Sequence, residues 1–139
     1  MSGMTTQTNI DSSHFINDSL HLALELVNDL LVQINEIDLV TNHNNHFSNM
    51  NLTKISLNLT QFVELTTLTS KLISLKKNII LDEVKESHIH LLFILKGINQ
   101  SQLKGDIIVL EDLIKYELKD NLTQWKINII PKIKKSTNP

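Results

Sequence analysis

The chain has 139 residues, 41% hydrophobic and 20% charged, with three Gly, two Pro and no Cys. These figures suit one soluble domain with its own core and exclude a disulfide scaffold, a thiol nucleophile and a thiolate metal site. Leu (23 residues) and Ile (18 residues) dominate, while Gly and Pro are too few for a turn-rich sandwich or barrel, so the composition predicts helix. All 13 basic residues are Lys. With no Arg, the side chain best suited to bidentate recognition of phosphate or guanine is missing, and no nucleic-acid partner is expected.

The net charge of -2 conceals an asymmetry: residues 1–50 hold six acids and no Lys, whereas residues 51–139 hold nine acids and all 13 Lys. No apolar run is long enough for a membrane span, and the polar first ten residues lack the pattern of a signal peptide, so a cytoplasmic protein is expected.

Residues 1–13 read as a flexible N-terminus, with Ser12-Ser13 as the start of the first helix. From there Ile16, Leu20, Ala23, Val27, Leu30, Ile34 and Ile37 recur at spacings of three and four, the signature of one buried helix face. This helix is expected to run to Val40. The Asn-rich stretch Thr41 to Asn49 competes with helical backbone bonding through its own side chains and reads as the longest loop. A second helix is expected over 51–78, carrying Leu52, Ile55, Leu59 and Phe62, then Leu65, Leu68, Leu72 and Leu75. Asp82, Glu83 and Glu86 suit the positive end of a third helix, over 83–103.

Lys104-Gly105-Asp106 is the clearest punctuation, because Gly fits the left-handed position after one helix and Asp caps the next. The fourth helix then carries Leu110, Leu113, Ile114, Leu118, Leu122, Trp125 and Ile129, and Pro131 is expected to stop it near Ile130. Residues 132–139 read as a basic tail, leaving 14–131 as a single bundle domain. The expected architecture is all-α, an antiparallel bundle of four long helices; three helices, one very long, are the alternative.

Among groups able to do chemistry, His14, Asp18, His21 and Glu25 recur at i, i+4, i+7 and i+11 and are the candidate metal ligands, set against the ordinary reading of a solvated polar face. His43 and His46 have ligand spacing but sit in the expected loop. Glu83, Glu86 and His90 share a helix face. No paired Glu-x-x-His motif, nucleophile elbow or phosphate-binding Gly loop occurs, so neither a catalytic residue nor a cofactor is expected. Tyr116 and Trp125, the only residues of their types, are candidate interaction residues; their ordinary role is as core anchors whose polar atoms find a partner at the rim.

Asp106, Leu110, Asp112, Leu113, Tyr116, Glu117, Leu118 and Trp125, with Ile114 following Leu113, form a stretch that resembles the C-terminal part of uncharacterised small helical proteins of bacteria, some of them near motility genes. The resemblance covers residues 106–125 and implies a small cytosolic bundle without catalytic residues. The expected function is a non-enzymatic interaction protein, a bacterial chaperone or adaptor for another helical protein. A metal- or small-ligand-binding bundle enzyme is the alternative. The acidic first helix, lacking Lys for internal i, i+4 pairs, predicts a partner that is another protein or a second copy in a homodimer.

Overall fold

The computed structural model describes residues 2–41, 49–77 and 82–137. Every described residue except Gly105 and Asp106 is helical. Helix α1 spans Ser2–Thr41, α2 Asn49–Lys77 and α3 Asp82–Lys104. A fourth rod, 107–137, consists of α4 (Ile107–Asp112), α5 (Lys119–Gln124) and α6 (Ile130–Thr137), joined by π-helical turns at Leu113–Leu118 and Trp125–Ile129. The protein is therefore an all-α four-helix bundle, and the three-helix alternative falls away.

Two expected boundaries move. Helix α1 begins at Ser2 rather than at Ser12-Ser13. No Pro interrupts that stretch, and a helix already nucleated adds one hydrogen bond per residue fixed. Pro131 does not end the fourth rod, which continues to Thr137. The π turn at Trp125–Ile129 has already shifted the carbonyl pairing, and Pro131 falls in the first turn of α6, where an N–H is least needed. The expected loop centred on His43 and His46 lies outside the described residues.

The junction between α3 and the fourth rod forms as its residues dictate. Gly105 adopts φ 68°, its N–H bonds the Gln102 carbonyl at 3.2 Å, and the Asp106 N–H bonds the Ser101 carbonyl at 2.9 Å. Together these are the paired bonds of a Schellman ending. The Asp106 carboxylate then accepts from the Val109 N–H at 3.2 Å as the next N-cap. Contacts along the two rods confirm an antiparallel hairpin: Gly97 meets Leu113 near the turn, Ser87 and His90 meet Asn121, and Glu83 meets Lys132 at the far end.

The apolar stripe of α1 is buried throughout, from Ile16 to Ile37. In α2, Leu52, Ile55, Leu59 and Phe62 are buried, but the stripe continues through Thr66, Thr69 and Ile73, while Leu68 and Leu75 are exposed. The reason is register: 52, 55, 59, 62, 66, 69 and 73 keep an alternating three-four spacing that faces a partner helix, and the later leucines sit out of phase with it. In the fourth rod Leu110, Ile114, Leu118 and Leu122 are four apart and all buried. Each four-residue step overshoots an α-helical turn by about 40°. The wider π turn at Leu113–Leu118 absorbs that overshoot and keeps them on one side. Phe62 and Trp125 close the centre edge to face, with ring centroids 5.5 Å apart. Helix α1 packs along α2 and the fourth rod, and α3 packs on the same two neighbours, so α1 and α3 take opposite corners.

Candidate functional site

The site is built by the α3 hairpin. On α3, Phe93, Gly97, Gln100 and Lys104 recur at helical spacing; on the fourth rod Val109, Leu113 and Glu117 do the same. These two rows face a groove of about 590 Å³. Gly97 sets its depth, because a Cβ there would lie 3.1 Å from Leu113 Cδ1. Past His90 the groove continues into a second hollow of about 660 Å³, walled by Lys115, Tyr116, Lys119, Asp120 and Thr123. His90 and Glu117 belong to both hollows.

The buried Asn121 amide orients His90. Its Nδ2 lies 3.3 Å from the Ser87 carbonyl and 3.1 Å from His90 Nδ1. The carbonyl can only accept, which fixes the amide nitrogen on that side and makes His90 Nδ1 the acceptor of the second amide proton. The neutral ring therefore carries its own proton on Nε2. Charges along the groove are mixed: Lys104, Lys115 and Lys119 against Asp106, Glu117 and Asp120.

Its apolar content is the distinctive feature. Phe93 is 73% exposed and Tyr116 65%. At the hairpin tip Leu103 is 89% exposed and Ile108 73%, and every residue from 102 to 109 is exposed. Of the two aromatic candidates, Tyr116 is thus at the surface on the groove wall, whereas Trp125 is buried against Phe62.

The candidate metal ligands form two pairs on α1. His14 Nε2 is 3.5 Å from Asp18 Oδ2, and His21 Nε2 is 3.5 Å from Glu25 Oε1, with all four side chains exposed. Among the described residues no group of three or more His, Asp or Glu gathers around a common point. Glu83, Glu86 and His90 do not converge either, since Glu83 pairs with Lys132 while His90 turns to Asn121.

The second histidine of α3 faces α2. His88 Nδ1 lies 3.3 Å from Thr66 Oγ1 and its Nε2 3.2 Å from Thr67 Oγ1. Both hydroxyls also reach the Val63 carbonyl, at 3.0 and 2.7 Å. That carbonyl has two lone pairs and already takes a helical N–H. One hydroxyl therefore donates to the bare ring nitrogen while the other accepts from the protonated one. Burial pushes the His88 imidazole below its ordinary value and favours this neutral form.

The groove does not show in the spacing of apolar residues. Gly97 is the one signal for it, a lone Gly inside a helical pattern, which marks close packing when it is not a cap. No described helix is long and apolar enough to cross a membrane. No known protein family, curated protein or solved structure matches the chain.

Proposed function

We propose that the protein is a non-enzymatic helical interaction protein, an adaptor or chaperone that holds an apolar helix of another protein in the groove between α3 and the fourth rod. One observation carries this reading: Phe93 and Tyr116, both more than half exposed, stand with the exposed Val109 on the walls of one groove. A contiguous apolar surface of this kind is costly to leave in water, and aromatic side chains at a groove rim are common anchors for a bound helix. The mixed charges along the rim fit orientation of a partner rather than bulk attraction.

Site-specific photocrosslinking in cells tests the reading. A photoreactive residue at Phe93 should give a discrete adduct with another protein, whereas one at the exposed Gln61 of α2 should not. Phe93→Glu and Val109→Glu should remove partner binding without lowering the thermal midpoint. Equal crosslinking from both positions, or binding indifferent to both substitutions, would reject the groove as the docking site.

A further inference from the structure

Opposite the core stripe, α1 presents a second row to solvent. Phe15, Leu22 and Val32 on this row are 47%, 48% and 57% exposed. Between and beyond them at the same alternating three-four spacing stand Asp18, Glu25, Asp29 and Glu36, all exposed. Helix α3 has a matching outward row of opposite sign. Ile89, Leu92 and Leu103 are 52%, 42% and 89% exposed, and Lys85 and Lys96 share their row. Asp82 stands at the start of the same row, three residues before Lys85, and the other acids of α3, Glu83 and Glu86, lie off it in the first half of the helix.

The intervals correspond as well as the signs. Asp18 and Asp29 bracket Leu22 and Glu25 over 11 residues, and Lys85 and Lys96 bracket Ile89 and Leu92 over 11 residues, about 16 Å in each helix at 1.5 Å per residue. Two such rows laid together set Asp18 and Asp29 against Lys85 and Lys96 with Leu22 between them, and opposite signs then fix which faces meet. The outward row of α2 is less selective, since Glu64 stands between Lys54 and Lys71 on it beside Leu57, Leu68 and Leu75, whereas no acid interrupts the stretch from Lys85 to Lys96 on the row of α3.

We infer that the protein self-associates by laying the acidic outer face of α1 on the basic outer face of α3 in a second copy. Within one copy Asp29, Val32 and Glu36 border a hollow that also holds Lys54 of α2, but α1 and α3 occupy opposite corners of the bundle, so their two rows cannot meet in one copy, and two copies cannot exchange both contacts around a two-fold axis. The contact is heterologous, so it builds rings or open chains rather than closing at a dimer. Exposed ion pairs contribute little affinity, so the apolar residues supply the attraction and the charges fix which faces meet. The groove beside Phe93 lies on a different face of α3 and remains available for its own partner.

Sedimentation velocity with a charge exchange tests this. The full chain should grow beyond dimers as concentration rises, and the growth should weaken when salt is raised from about 0.05 to about 0.5 M. Asp18→Lys with Glu25→Lys and Asp29→Lys should weaken self-association at least about tenfold, and so should Lys85→Glu with Lys96→Glu. Mixing the two variants restores opposite signs at every contact between a lysine-bearing α1 and a glutamate-bearing α3 and should restore assembly. Circular dichroism and thermal midpoints of the variants, all changed at exposed positions, report whether they fold. Should either not fold, Leu22→Gln with Leu92→Gln reads the same loss of assembly. A monomer at every concentration overturns the inference, as does assembly that survives both charge variants or fails to return on mixing. Loss of crosslinking at Phe93 would bear only on the groove.

Discussion

Trp125 is under two opposed demands. It is 1% exposed and packs edge to face on Phe62, yet its buried indole Nε1 has no hydrogen-bond partner among the described residues. Packing outweighs the missing bond, because an empty indole site leaves a cavity while an unpaired N–H forfeits one hydrogen bond. Trp125→Ala should therefore lower unfolding free energy by about 3–5 kcal/mol. Trp125→Phe, which keeps a ring against Phe62 and deletes the N–H, should lose much less. Urea midpoints separate the two, and equal losses would show that packing is not what the indole supplies. At His88 the sign follows from burial, which lowers its proton affinity in the folded state. As pH falls through and below the ordinary histidine range the unfolded chain binds a proton that the folded chain resists, so stability decreases on acidification and is regained above that range. Urea midpoints measured from about pH 7.5 to about pH 5, a window that spans the ordinary histidine range, should fall less steeply in His88→Gln than in the unchanged protein. Identical pH slopes would show that His88 titrates alike in both states.

Gly97 shows how a single position shapes two elements. An Ala there gains helix propensity of about 1 kcal/mol, while its Cβ meets Leu113 Cδ1 at 3.1 Å. Leu113 is only half-buried and its methyl is the end of a flexible side chain, so it yields. Gly97→Ala should therefore stabilise the bundle by up to about 1 kcal/mol. Gly97→Leu should wedge α3 from the fourth rod at about 1–3 kcal/mol of stability. Denaturant midpoints decide both, and a clear loss for the Ala variant would mean that Leu113 is immovable. The elements themselves are largely legible in the sequence: the α1 stripe, the Gly105-Asp106 turn and the four helices follow from spacing and capping alone. What is illegible depends on neighbours. Leu68 and Leu75 outrank Thr66 and Thr69 by hydrophobicity, yet the threonines face inward because the partner helix fixes the register of α2. Pro131 reads as a stop until the preceding π turn is known. Nothing in the spacing of residues marks Asn121 as buried, since its place depends on Ser87 and His90 standing against it.

At the scale of the whole molecule, stability is distributed unevenly, and the distribution coincides with the groove. The polar contacts that tie α3 to its neighbours gather in its first half: Glu83 to Lys132, His88 to Thr66 and Thr67, Ser87 and His90 to Asn121. At the hairpin tip the ties are the local turn bonds of Ser101, Gln102, Gly105 and Asp106, and residues 102–109 are exposed without interruption. By contrast, α1 from Ile16 to Ile37 and the rod from Ile114 to Trp125 carry buried residues at every turn. Segments with few buried apolar contacts open locally at a fraction of the global free energy, and ligand-binding regions tend to be drawn from them. Native-state hydrogen exchange should accordingly show amides of 102–109 exchanging through openings that are insensitive to low denaturant, while those of 20–34 and 114–125 exchange only with global unfolding. A helix seated in the groove would bridge Phe93 and Val109 and should slow exchange at the tip more than at the far end of α3. Uniform protection along the hairpin would place the tip within the global unfolding unit, and the groove would then be a rigid surface instead of the easily opened edge that the exposure of 102–109 describes.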